Sequence, residues 1–337
     1  MNQPKTNEGI ELFSTCPPAG AGGSGGGDYL ARVAEVARWS DRVGCTGILV
    51  YSDNSQLDPW LVSQVIIQHT RTLCPLVAVQ PIYMHPYAVA KAITSIGALS
   101  QRRVYLNMVA GGFKNDLTAL NDLTPHDQRY ERLAEYTRVI GELLAGSGSV
   151  TFQGSFYQVD KLKLSPPLDP DLAPGIFLSG SSDAGLAAAR ALGATAIKYP
   201  KPAGEEPGAD PGIACGIRVG IIARPDSADA WAVARARFPE DRRGQITRQL
   251  ATKVSDSQWH QQLASLEHDD QSVYWLVPFN NYKTMCPYLV GSYEEVAAEM
   301  ATYFAGGYRT VILDVPASPD DLAHTFAAFQ LAMEPVS

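Results

Sequence analysis

The chain has 337 residues, 45% of them hydrophobic and 18% charged, with a formal net charge of −8. The acidic balance argues against nucleic acid or an anionic membrane as a partner, and no apolar run approaches the ~18 residues of a membrane span. Five cysteines (Cys16, Cys45, Cys74, Cys215 and Cys286), odd in number and without a C-x-x-C pair, argue for a reducing cytoplasm and against disulfides or a thiolate zinc site. The start of the chain shows no basic-then-apolar leader, which also points to the cytoplasm.

The first strand is expected at 10–15, followed by Pro17, Pro18 and a flexible glycine-rich stretch at 19–28. Gly20, Gly22 and Gly25 fit the dinucleotide fingerprint, but two prolines separate them from the strand, and Asp53 stands beyond the usual ~20 residues. A loop is the simpler reading. A helix capped by Asp28 and stopped by Gly44 leads to a second strand at 46–51, and Asp58-Pro59 opens the next helix. The third strand covers 73–79 and its helix 86–99. The fourth strand covers 104–109, with a glycine-rich loop at 111–116 and a long helix over 127–144. A small hairpin at 150–157 interrupts this rhythm. The fifth strand (176–178), sixth (194–198), seventh (215–223) and eighth (310–315) follow, with helices at 227–237, 292–305 and 319–333.

Eight strands alternating with helices indicate a parallel sheet covered by helices. The α/β reading favours a (β/α)8 TIM barrel, a single domain over 1–337 with insertions near 147–174, 200–212 and 240–290. A doubly wound open sheet gives much the same pattern. Within the last insertion, 278–283 reads as an active-site loop.

The stretch GIFLSGSSDAGLAAA (175–189) carries the clearest chemistry. A short apolar strand feeds Gly180, Ser181 and Ser182 into a helix N-terminus. The free N–H groups of the first turn, the helix dipole and two hydroxyls together suit an anion. A serine that only caps the helix is the competing reading.

Three segments resemble the bacterial-luciferase-like flavin-dependent monooxygenases, most closely the alkanesulfonate monooxygenase branch: RVYLNMVAGG (103–112), HDQRYERLAEY (126–136) and FLSGSSD (177–183). KLKLSPP (161–167), GIR (216–218) and GCTGI (44–48) fit the same branch. The resemblance implies a luciferase-like barrel that uses reduced FMN supplied by a separate flavin reductase, with O2 as co-substrate and a C4a-(hydro)peroxide as the oxygenating species. A homodimer or homotetramer is expected. By the same resemblance Gly180, Ser181 and Ser182 hold the FMN phosphate, Asn107 and Gln80 meet the flavin ring, and His126 and Tyr130 are further cofactor contacts. Purely structural roles compete: a loop tie for Asn107, an ordinary helix start for His126, a core aromatic for Tyr130. No metal site is expected, and the other histidines (His69, His85, His260, His268 and His324) show no ligand spacing.

The chain also departs from the sulfonate enzymes. Their cysteine after the second strand, the histidine of an Arg-x-His pair and a loop arginine correspond here to Gln56, Gly220 and about Pro278. Arg218 remains, as an anion-binding or catalytic group or as an ion pair at the rim. The runs CPYLVGSYE (286–294) and GYRTVILDVP (307–316) resemble relatives from antibiotic and other secondary-metabolite pathways, some acting on carrier-bound groups. Oxygenation of a small organic or carrier-protein-bound acyl or aminoacyl substrate is therefore expected. Alkanesulfonate desulfonation, a deazaflavin-dependent oxidoreductase and a non-catalytic flavin binder are the alternatives. Arg242, Arg243, Arg248 and Lys253 form a candidate basic patch for an acidic carrier.

Overall fold

Parallel strands covered on both faces are near-continuous apolar runs, and the strands here follow that rule. The elements run β1 (Glu11–Thr15), α1 (Gly26–Val43), β2 (Gly47–Val50), α2 (Pro59–His69), β3 (Cys74–Val79), α3 (Pro86–Ser100), β4 (Tyr105–Val109), α4 (Lys114–Ala119) and α5 (His126–Leu144). A hairpin of β5 (Val150–Gln153) and β6 (Gln158–Leu162) precedes β7 (Ile176–Ser179), α6 (Asp183–Leu192) and β8 (Thr195–Lys198). Then come β9 (Cys215–Arg224), α7 (Ser227–Arg237), α8 (Arg242–Val254), β10 (Tyr274–Trp275) and α9 (Val277–Asn280). The chain finishes with β11 (Tyr288–Ser292), α10 (Tyr293–Ala305), β12 (Tyr308–Leu313) and α11 (Pro319–Ala332). This computed structural model describes residues 9–20, 26–180, 182–254, 263, 266 and 272–334. Gly22, Gly25, Ser181, His260 and His268, together with the side chain of Lys253, lie outside the described residues.

The chain divides into two compact units. The first comprises Cys16–Asp41 and Thr46–Ala196, and the second comprises Thr15 and the residues before it, Arg42–Cys45 and everything from Ile197 on. In the first unit β2, β3, β4 and β7 pair side by side, all parallel. Ile48, Leu76, Leu106 and Leu178 on these strands are fully buried, each contributing about 1.5–3 kcal/mol. Helix α2 starts where expected: Asp58 accepts hydrogen bonds from the Trp60 and Leu61 amides, with Pro59 at the first helical position. The hairpin is anchored by Glu135 of α5, whose carboxylate accepts the amides of Ser155, Phe156 and Tyr157 at 2.8, 2.8 and 3.1 Å. A Cβ on Gly154 would lie 2.4 Å from that carboxylate, so only glycine fits the turn.

In the second unit the order is β10-β11-β9-β12-β1, with β10 antiparallel and the rest parallel. Strand β9 is long and changes neighbour part-way: Cys215 to Val219 run beside β12, and Gly220 to Arg224 beside β11. The cluster of Ile222, Ala230, Ala234, Trp275, Cys286, Tyr288 and Val290 forms the core beneath α7.

All eight strands read from the sequence are present, with shifted ends. The last occupies Tyr308–Leu313 rather than 310–315, which puts Asp314 just past its end. Asp28 lies inside the first turn of α1, because the helix already begins at Gly26. Residues 114–116 of the expected loop belong to helix α4 (Lys114–Ala119), and the 240–290 insertion holds α8, β10, α9 and the start of β11. Segment 278–283 begins in the short helix α9, with Pro278 and Phe279 buried. Among the described residues no helix is long and apolar enough to cross a membrane.

Candidate functional site

In the first unit the polar side chains gather at the ends of β3 and β7 and in the middle of β4. Pairing sets Ala78 opposite Asn107 and Asn107 opposite Phe177. Since side chains alternate along a strand, Gln80, Asn107 and Ser179 belong to one face. Asn107 lies mid-strand, 6% exposed in an otherwise apolar run. Its carbonyl oxygen accepts the Ser179 hydroxyl at 2.8 Å, which turns the Asn107 NH2 group outward as a donor. Gln80, 4% exposed, donates its Nε2 to the Ser52 carbonyl at 2.6 Å and so offers its own oxygen as an acceptor.

The turn from β7 into α6 is built around close approach. A Cβ on Gly180 would stand 2.4 Å from the Tyr130 hydroxyl, and one on Gly185 would stand 3.1 Å from the Gly180 carbonyl. Ser182, 5% exposed, caps α6 by accepting the Gly185 amide at 3.2 Å. The capping role weighed from the sequence is therefore real, and it leaves the hydroxyl proton to donate. Tyr130 is buried and meets the His126 ring edge-on at 5.2 Å. His126 begins α5 and its Nδ1 lies 2.7 Å from the Asp127 carboxylate.

Beside these residues a groove of about 260 Å³ is lined by Asp53, Gln56, Trp60, Gln80, Tyr83 and Met84, among others. Burial, with Asp116 and Asp53 nearby, raises the Tyr83 hydroxyl to about 12, so it stays protonated. Gln56 has a structural duty here: its oxygen accepts the Ala19 amide at 2.7 Å, tying the segment after β1 to the β2–α2 loop. Burial also raises the Cys16 thiol to about 12.

The second unit holds a different polar group. Arg218 is buried on β9, and hydrogen-bonds the enclosed Cys286 thiol. Burial foremost, with Asp314, pushes that thiol well above its ordinary range. Tyr288 donates its hydroxyl to Asp314 at 2.8 Å. A Cβ on Gly220 would be 2.3 Å from the Tyr288 ring. The absent side chain at 220 is thus the space into which Tyr288 packs. Burial, aided by Asp314, raises the Tyr288 hydroxyl far above its usual value. Cys286, Tyr288 and Asp314 were not singled out from the sequence. Their signal was weak, because they come from β11, its approach and the end of β12, and only folding unites them with Arg218.

A luciferase-like monooxygenase family model matches residues 10–310. The chain belongs to the luciferase-like monooxygenases. It is 35% identical over 307 residues, covering 88% of this chain and 90% of the relative, to the monooxygenase BtrO of Niallia circulans, named for a 4-(gamma-L-glutamylamino)butanoyl group on the BtrI acyl-carrier protein. Among solved structures, a long-chain alkane monooxygenase (LadA) superposes with a TM-score of 0.73 at 14% identity, covering 97% of this chain and 90% of that one. A riboflavin lyase (RcaE), crystallised with modified FMN and riboflavin, gives 0.71 at 14%, covering 95% and 90%. The fold of this luciferase-like monooxygenase is accordingly the (β/α)8 barrel with insertions.

Within this luciferase-like monooxygenase, Gln80, Asn107, Tyr130, Gly180, Ser182 and His126 all fall in the first unit, as does Gln56, while Arg218 sits in the second. Three other histidines are engaged locally: His69 with the Val65 carbonyl, His85 as the cap of α3, His324 with Tyr293. Among the described residues no group of three or more His, Cys, Asp or Glu side chains could hold a metal ion.

Proposed function

We propose that this luciferase-like monooxygenase binds reduced FMN delivered by a separate flavin reductase and oxygenates an acyl or aminoacyl group tethered to a carrier protein. The observation that carries the substrate class is the likeness to BtrO over 88% of the chain. The first unit suits the cofactor. The start of α6 offers backbone amides and the Ser182 hydroxyl to a phosphate, with no side chain at Gly180 to block it. Asn107 presents a donor and Gln80 an acceptor, a pair suited to the polar edge of an isoalloxazine.

Bound reduced flavin supplies the activation of O2. One oxygen atom enters the substrate and the other leaves as water, with the flavin's two electrons and two protons completing the balance. The chain's own work is to orient and to exclude water. Ser179 fixes the Asn107 amide, and Tyr130 walls the phosphate turn. Arg218 supplies a buried positive charge, and Gln56 acts as a positioning residue through Ala19. Small organic molecules remain in the substrate class, as the groove beside Trp60 and Tyr83 has a volume of about 260 Å³.

The test is reconstitution with a flavin reductase, FMN and isotopically labelled O2, using an aminoacyl carrier protein as substrate. A gain of one labelled oxygen on the acyl group is expected. Sulfite release from alkanesulfonates without carrier oxidation would establish desulfonation instead. Failure to bind reduced FMN under anaerobic conditions would favour a deazaflavin enzyme.

A further inference from the structure

Between residues 235 and 254 this acidic chain carries six basic residues against two acidic ones. Helix α8 lies in that stretch, and its sides are sharply different. Its inner side is locked to the segment after β10. A Cβ on Gly244 would be 2.0 Å from the Asn281 carbonyl, Gln245 donates to Asn281 at 3.2 Å, and Arg248 donates to Asn280 while its guanidinium lies 5.2 Å over the Phe279 ring. Asp241 caps the helix through the Arg243 and Gly244 amides and pairs with Lys283 at 2.7 Å. Arg248 is thereby withdrawn from the basic patch expected from the sequence.

The outer side holds Arg242, Arg243, Ile246 and Thr247, all exposed and grouped by the helical period. Two exposed arginines in a first turn oppose the helix dipole, at a cost of roughly 0.3–1 kcal/mol each. Among the described residues no carboxylate pairs with either arginine, and the helix is already capped and anchored. A local rule broken without structural return marks a surface kept for something else. The exposed Ile246, one helical turn on from the arginines, adds an apolar contact beside two positive charges.

We infer that the Arg242–Arg243–Ile246 face of α8 docks the acidic carrier protein that presents the substrate, an inference that rests on the carrier-bound reading above. The anchoring of α8 gives the docked partner a rigid seat. The anchor segment, 277–283, leads within a few residues to Cys286 and Tyr288 of the polar cluster.

The test compares one acyl group on its carrier protein and on a small N-acetylcysteamine thioester. With Arg242→Glu/Arg243→Glu, kcat/KM for the carrier-bound substrate should fall about tenfold at low salt and recover as salt rises. The thioester should be turned over as by the wild type. A control with the same charge change elsewhere, Arg38→Glu/Arg138→Glu, should affect neither substrate. Unchanged carrier kinetics in the α8 variant would overturn the docking surface, and so would equal losses on the thioester or in the control. A wild type that oxygenates neither substrate would overturn the functional reading, and the docking surface with it.

Discussion

The two units hold their polar groups in opposite ways. In the first, Asn107, Gln80 and Ser182 each spend one hydrogen bond on the scaffold and keep another polar group to offer. In the second, Arg218 pairs with Cys286, Tyr288 gives its hydroxyl to Asp314, and the Tyr288 ring fills the space beside Gly220. The first arrangement spends little stability and leaves affinity for a ligand. The second is a packed interior whose chemistry is inseparable from folding. Substitutions should therefore cost binding first in one unit and stability first in the other.

The largest effect is expected at Asp321 in the second unit, where one carboxylate receives both Arg224 and Arg237. Asp321→Asn should lower stability by about 3 kcal/mol, the low end for breaking a buried pair because Asp321 is only partly enclosed. Urea denaturation measures it, and a loss within error of zero would show the triad to be solvated.

Next is Gly220→Ala, whose methyl would collide with the Tyr288 ring. Overpacking there should cost about 1–3 kcal/mol, and the double variant Gly220→Ala/Tyr288→Ala should not show the sum of the two losses. Strict additivity would mean that the two residues do not contend for one space.

In the first unit, Gly180→Ala should cost less stability than Gly220→Ala, because its close contact falls on the hydroxyl of Tyr130 alone rather than on several ring carbons. It should instead weaken FMN about tenfold by blocking close approach to the turn. A stability loss as large as that of Gly220→Ala would erase the contrast between the units.

Ser182→Ala is subtler, removing a cap worth about 1 kcal/mol together with one donor. Fluorescence titration should show FMN weakened more than riboflavin, which lacks the phosphate. Equal weakening would leave Ser182 as a cap alone.

Acid sharpens the picture slightly in both units. Burial pushes Asp321 upward, but hydrogen bonds and charge from Arg224 and Arg237 outweigh it and hold the carboxyl below its ordinary 3.8. Asp41 is likewise held low, where burial is outweighed by the amides of Arg71, Thr72 and Leu73 and the Thr72 hydroxyl. A depressed carboxylate stabilises fully above its unfolded value and loses that contribution as pH falls through the folded one. Stability should thus be level near neutrality and decline below about pH 4. In Asp321→Asn, thermal melts should show a shallower acid decline.

How much was legible follows the same division. The strand-to-helix turn at 176–185 was readable because everything it needs is local: an apolar run, a glycine, a capping serine, then alanines. Asn107 was reached only through the family resemblance of its segment, 103–112. The second unit's cluster was hidden, because residues 218, 286, 288 and 314 meet only through β9, β11 and β12, and β11 sat inside what looked like an insertion. The basic stretch was visible as a charge count, but which arginines face outward depends on Gly244 packing against Asn281. Gln56 occupies a suggestive place in sequence, and its hydrogen bond to Ala19 is what assigns it a tethering role.

The thiols raise a matter of endurance. An enzyme that handles O2 meets hydrogen peroxide whenever turnover misfires, and it is the thiolate that peroxide oxidises. Cys16, Cys215 and Cys286 are each at most 4% exposed and are driven, chiefly by burial, toward the protonated form. Cys286 is held so despite the adjacent Arg218, which alone would favour the thiolate. The packing that makes the second unit costly to mutate also makes it slow to corrode: prolonged uncoupled turnover should leave Cys215 and Cys286 reduced, with the more accessible Cys74 of the first unit the first to be oxidised.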